Sequence, residues 1–235
     1  MRIAELTSDE FAESVRSDPV VIIPFGAIEA HGPHLPLSTD CIQPVAMAEI
    51  VADLVGGLVA PLVPYGQHSS TKKMPGTIGI SMETLKALAV DIMESLVANG
   101  VKKIVVLSGH AGSIHIAALK SACEEIAEMY DVKVMMLSDY FIADEMTAEL
   151  CGGRKDGHGG LVETSRIMAL RPDLVKEVRP VGTSTEARYV IDRHPETRFP
   201  QQCVGHAKDA SQEAGEKVNT YVAEKLSDLI LKNMG

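Results

Sequence analysis

The stretch GAIEAHGPHLPLSTD, residues 26–40, packs Glu29, His31, His34 and Asp40 into a loop held by Gly32, Pro33 and Pro36. Glu29 and His31 are two apart, so their side chains point the same way if extended geometry persists from the apolar run before them. The Asp40 carboxylate can return to the same point after the Pro-rich turn. Carboxylate oxygens mixed with imidazole nitrogens suit zinc, manganese or iron(II), and a carboxylate can bridge two such ions. A turn carrying surface acids and histidines would show the same composition. LSGHAGSIH, residues 107–115, sets His110 between Gly109 and Gly112 at a helix start. There it is either part of a backbone cradle for an anion or a histidine delivered to a metal. DGHGGLVETS, residues 156–165, puts His158 in a glycine-rich loop and Glu163 near a helix start, where the helix dipole favours a carboxylate even without function. No apolar periodicity accounts for His158, and an imidazole titrating near neutral pH suits proton transfer beside metal-activated water.

These segments need a scaffold that brings them together. Val20–Phe25 is a short apolar run rich in β-branched residues, and residues 58–63, 103–107 and 132–137 resemble it. Runs that are apolar on both faces suit parallel strands covered by helices. Helical segments lie between them at 42–55, at 83–99 with Ser81 as cap and Gly100 as stop, and at 114–130. Leu161–Leu170 also looks helical, and an amphipathic helix over 209–232 closes the fold. Strand alternating with helix predicts an α/β fold with a mainly parallel sheet. In such sheets ligands bind beyond the carboxyl ends of the strands, where the 26–40 and 107–115 segments lie. Residues 139–206 carry little readable pattern.

At 235 residues, without a linker or composition shift, the chain reads as a single domain over 1–235. A net charge of −10 without a dense Lys/Arg run argues against nucleic acid or an anionic membrane as partner and leaves a small-molecule substrate. Four scattered cysteines give neither a disulfide framework nor a thiolate zinc site. The opening residues lack the apolar core of a secretion signal and no run is long enough to span a membrane, so the expected location is cytoplasmic.

Taken in order, GAIEAHGPHLPLSTD, MPGTIGIS (residues 74–81), LSGHAGS and HGGLVETS resemble the creatininase family over residues 3–230. The resemblance implies a three-layer α/β/α fold, a homo-oligomer, often a hexamer, and hydrolysis of a C–N amide bond with one or two divalent ions. Under it Glu29, His31, Asp40 and His110 match metal ligands, with Asp40 bridging, and His158 matches a histidine used in proton transfer. Creatininase proper carries a glutamate two residues after the histidine that His110 matches, where this chain has Gly112. Glu163 is the best replacement, giving one ion to Glu29, Asp40 and His110 and the other to His31, Asp40 and Glu163. Relatives often place a Glu-His pair before MPGT, where this chain has Ser70 and Thr71. The chain also lacks Trp, which points away from creatinine itself as substrate. Lys72 and Lys73 are either a solvated pair or a lure for a carboxylate or phosphate on the substrate. Gly76 and Thr77 either shape the pocket wall or make a tight turn. The remaining histidines, His34, His68, His115, His194 and His206, are assigned supporting or surface places, with His34 expected to matter most. A metal-dependent peptidase and a non-catalytic binding module on the same fold are the alternatives.

Overall fold

Side chains alternate between the two faces of a strand, and in Val20–Phe25 (β1) and Lys103–Ser108 (β3) both faces are apolar. Val20, Ile22, Val105 and Leu107 enter one core layer, while Val21, Ile23, Phe25, Ile104 and Val106 enter the other. Each such fully buried side chain contributes about 1.5–3 kcal/mol, so the strand ends form a firm platform for whatever follows them. The computed structural model describes residues 1–185 and 190–235.

Leu58–Val59 (β2), β1, β3 and Lys133–Ser138 (β4) form one parallel sheet in the order β2-β1-β3-β4. Thr39–Val55 (α2), Asp139–Asp144 (α5), Leu161–Leu170 (α7) and Gln212–Met234 (α8) cover one face. Ser8–Val15 (α1), Met82–Ala98 (α3) and Ser113–Met129 (α4) cover the other, giving the expected three-layer α/β/α fold. The chain leaves β1 towards β2 on one side and returns past it to β3 on the other. The crevice at this reversal of direction opens beyond the carboxyl ends of β1 and β3.

The Ser81 hydroxyl caps α3 by accepting from the Thr84 amide at 3.1 Å, and Gly100 follows its end at φ +89°, as the sequence indicates. Helix α8 begins at Gln212 rather than at 209, and two other boundaries differ in ways that bear on the site. The second strand stops at Val59, and beyond Pro61 the chain meets β1 again as a bridge from Val63 to Phe25. Helix α2 begins at Thr39 rather than at 42, so Asp40 sits in a helical first turn and not in a loop. Pro44 lies inside this helix and donates no hydrogen bond to the Asp40 carbonyl. The backbone of Gly109 packs there instead, since a Cβ at 109 would stand 2.3 Å from that oxygen. The poorly patterned 139–206 stretch folds as α5, Thr147–Cys151 (α6), α7 and a small antiparallel pair, Val181–Gly182 (β5) with Gly205–His206 (β6). No helix among the described residues is long and apolar enough to cross a membrane.

Candidate metal centre

The loop after β1 is held by its neighbours. The Glu29 amide donates to the Leu37 carbonyl at 2.9 Å, the Ala30 amide to the Thr77 hydroxyl at 3.1 Å, and Ile28 bridges Ile78. Glu29 and His31 thereby face the crevice without forming a strand, and α2 brings Asp40 to meet them. The helix N-terminus favours a carboxylate at that place. His110 arrives from the end of β3, and Glu163 from the first turn of α7, where its Oε2 accepts from the Gly159 amide at 2.6 Å. Glu29, His31, Asp40, His110 and Glu163 are all at least 93% buried, His110 being the most exposed at 7%.

His31 Nδ1 lies 3.0 Å from the Glu29 carbonyl, and His110 Nε2 lies 3.1 Å from the Gln67 carbonyl. A carbonyl only accepts, so each of these nitrogens carries its proton outward. In the neutral rings the inner nitrogens then present lone pairs to carboxylates. His31 Nε2 stands 3.0 Å from Asp40 Oδ1 and 3.9 Å from Glu163 Oε1. His110 Nδ1 stands 2.9 Å from Asp40 Oδ2 and 3.0 Å from Glu29 Oε2. Acceptor facing acceptor in a buried place calls for positive charge, either a second proton on each ring or a divalent cation between the groups. Donors held at about 2.0–2.1 Å from zinc in a tetrahedron stand roughly 3.3 Å apart, a spacing these pairs straddle. Mixed carboxylate and imidazole donors therefore fit zinc, manganese or iron, and Asp40 faces both halves of the cluster.

The charges respond accordingly. Burial opposes charge on Glu29 and Asp40, but His110 beside Glu29 and His31 beside Asp40 hold both carboxyls below their usual range. Burial also opposes charge on His31, yet Asp40 outweighs it and raises its pKa to about 10; His110 is raised for the same reason by Glu29 and Asp40. Glu163 is pushed up to about 7, chiefly by burial.

A family model described as creatinine amidohydrolase matches residues 4–230. The chain belongs to the creatininase family. Creatinine amidohydrolase of Pseudomonas putida is 32% identical over 97% of this chain and 95% of its own length. A mycofactocin precursor peptide peptidase of Mycobacterium ulcerans (strain Agy99) is 30% identical over 74% of this chain and 67% of its own. A solved mutant creatininase of Zn-Zn type matches with a TM-score of 0.87 at 28% identity, covering 98% of this chain and 97% of that one. This creatininase-family chain is a hydrolase of the amidohydrolase type, and metal-dependent hydrolysis of an amide bond fits its site.

Several expected residues sit differently from the sequence-based picture. His158 is not on a free loop: its Nε2 donates to the Ala30 carbonyl at 2.7 Å and its ring stacks on His31 with centroids 4.1 Å apart. Burial lowers its pKa, with the neighbouring His31 acting in the same direction. Lys73 does not face the cluster, since its ammonium is spent on the Arg193 carbonyl at 2.5 Å and His194 at 3.3 Å. Lys72 lines a neighbouring groove. Gly76 and Thr77 do form the tight turn that the sequence offered as one alternative, the Thr77 amide donating to the Met74 carbonyl at 3.2 Å with Gly76 at φ +84°. They are not among the residues lining the cavity over the cluster but buttress the ligand-bearing loop, Thr77 through the Ala30 amide and Gly76 by packing where a Cβ would meet Leu37 at 2.5 Å. His34 is a staple, its Nε2 within 3.0 Å of the Gly159 carbonyl and 2.9 Å of the Thr164 hydroxyl.

His68, given only a supporting or surface place from the sequence, is buried against the cluster. It is 3% exposed and lies with its Nδ1 3.5 Å from Glu29 Oε1. The rule that points to residues after β1 and β3 points equally to the chain after β2, where Gly66-Gln67-His68 stands. Thr71, whose hydroxyl donates to Glu29 Oε1, is found by the same rule.

Proposed function

We propose that the protein hydrolyses a C–N amide bond of a small substrate, a cyclic amide or formamide, in the cavity of about 270 Å³ over Glu29, Asp40, His110, His158 and Glu163. The observation that carries this is the pair of inward imidazole lone pairs opposed by three buried carboxylates. One or two ions of zinc, manganese or iron would be held by Glu29, Asp40 and His110 and by His31, Asp40 and Glu163. Such ions, when bound, polarise the amide carbonyl and supply a nucleophilic hydroxide at neutral pH. His158 lines the cavity, and with Nε2 committed to Ala30 its Nδ1 is left to take a proton and pass it to the departing nitrogen. In this proposal the whole chain acts as one catalytic unit, within a cytoplasmic homo-oligomer.

The test is hydrolysis of cyclic amides, formamides and short peptides, with and without chelator; chelator-resistant turnover overturns the proposal. His158→Ala should keep its metal and lose about a hundredfold in turnover, as removal of a general acid typically does. Wild-type turnover in that variant returns His158 to a packing role. Glu163→Gln keeps the shape and removes the charge. The expected result is loss of about one metal equivalent and most activity, and unchanged metal content by elemental analysis excludes Glu163 as a ligand.

A second reading, a metal-dependent peptidase, is favoured by the groove of about 550 Å³ that shares Ser69, Ser70 and Phe199 with the cavity and offers Lys72 at its side. It has room for an extended chain beyond the scissile bond. Preference for peptides over cyclic amides in the same screen selects this reading.

A further inference from the structure

We propose that His68 is a ligand of the ion held by Glu29 and His110, an assignment that rests on the metal-hydrolase reading above. Donor atoms from Glu29, His68 and His110 all lie within 4.8 Å of one another. Among the described residues His68 Nε2 has no hydrogen-bond partner, and Nδ1 faces only Glu29 Oε1 at 3.5 Å, although the residue is buried. Leaving a buried polar group unmatched costs about 1–3 kcal/mol, so a ring placed this way is a defect unless a cation completes it. The placement is enforced from several sides. Gly79 makes room for the ring, since a Cβ there would stand 2.8 Å from His68 Cδ2. The preceding Gly66 is fixed to Gly79 and to the Ile80 amide, and the Gln67 amide donates to His115 Nδ1 at 3.3 Å. Gln67 meanwhile orients His110 through its carbonyl. One short segment thus aims one imidazole and supplies another.

Position 112 cannot supply this donor. A Cβ at position 112 would stand 2.5 Å from His110 Nε2, so Gly112 leaves no room for a longer side chain while that ring holds its place. With His68 included, the ion beside Glu29 meets two imidazoles, and the ion beside Glu163 meets one imidazole and two carboxylates. The first site then favours zinc and the second tolerates manganese, following donor softness.

The experiment is zinc titration of the chelator-stripped protein against a chromophoric competitor, comparing wild type, His68→Phe and Asp40→Ala, with melting of each stripped protein recorded in parallel. Phenylalanine keeps a ring and removes both nitrogens. The expected result is one zinc equivalent fewer than wild type, or zinc binding weakened by more than the roughly 10–100-fold typical of a group that only orients a ligand, with no loss in the melting temperature of the stripped protein. Wild-type stoichiometry and affinity in His68→Phe overturn the assignment while leaving the metal-hydrolase reading intact, provided Asp40→Ala loses zinc. A wild-type protein that binds no zinc, manganese or iron removes both together. If the phenylalanine ring prevents folding, His68→Asn is read by the same two outcomes.

Discussion

Asp40→Ala should yield a folded protein that retains almost no metal and has lost at least about a thousandfold in turnover, the several kcal/mol that an activating ion contributes. Asp40 is the carboxylate that faces both imidazoles closely, Oδ1 towards His31 at 3.0 Å and Oδ2 towards His110 at 2.9 Å. Its removal withdraws a donor and a negative charge from both halves of the cluster. The effect on stability depends on the state compared. In the stripped protein Asp40 is paired with His31 and His110, which hold its carboxyl below the usual range, so alanine should melt lower than stripped wild type. With metal added, wild type gains the stabilisation that follows from binding the native state alone, and the variant does not. Elemental analysis and melting with and without chelator check both parts. Full metal content in Asp40→Ala would sink the bridging role.

Arg166→Met should destabilise the protein by about 3–5 kcal/mol, the cost of stripping the partner from a buried charge. Arg166 and Asp139 are both fully buried, with Nη2 donating to Asp139 Oδ2 at 2.7 Å and Nε to Asn219 Oδ1 at 2.9 Å. This ties α7 to α5 and α8 one turn beyond Glu163. Arg166→Met combined with Asp139→Leu should recover most of the loss, because a packed apolar pair removes the orphaned charge as well. The sign of the pH dependence follows from Asp139. Burial raises its carboxyl pKa and Arg166 opposes the rise, so losing Arg166 raises it further. A carboxyl raised in the folded state is protonated more readily there than in the unfolded chain. Its contribution is present below the unfolded value of about 3.9 and is lost as pH rises through the folded value. The deficit of Arg166→Met is therefore smallest near pH 4 and grows towards neutrality. Urea midpoints at the two pH values measure it, and a neutral-pH deficit below about 1 kcal/mol would show that the pair is dispensable.

The strands were legible because both faces of β1 and β3 are buried, which leaves continuous β-branched runs in the sequence. Ser81 and Gly100 marked α3 because a cap and a left-handed stop each require particular residue types. The converging acids and histidines were legible at β1 and β3, where polar residues directly follow those runs. At β2 the strand is two residues long and the chain reaches His68 only well beyond its end, so the local pattern carried no signal for that ring. The Arg166–Asp139 pair was invisible for a different reason. An Arg in a helix and an Asp after a strand look solvated until the packing of three helices encloses them.

The three imidazoles nearest the cavity are each oriented by a main-chain oxygen: His31 by Glu29, His110 by Gln67 and His158 by Ala30. A side-chain partner can be deleted by one codon change, whereas a carbonyl survives every substitution at its own position. The aim of these rings is thus robust to mutation, and Gln67, which lines the neighbouring groove, can vary without disturbing it. Selection for a new substrate can work on the side chains around the cavity while the chemistry stays in register. Insertions or deletions between 26 and 31 or between 64 and 68 would have the opposite effect, shifting a carbonyl and a donor together, so adaptation in this scaffold should proceed by substitution there and by changes of loop length elsewhere.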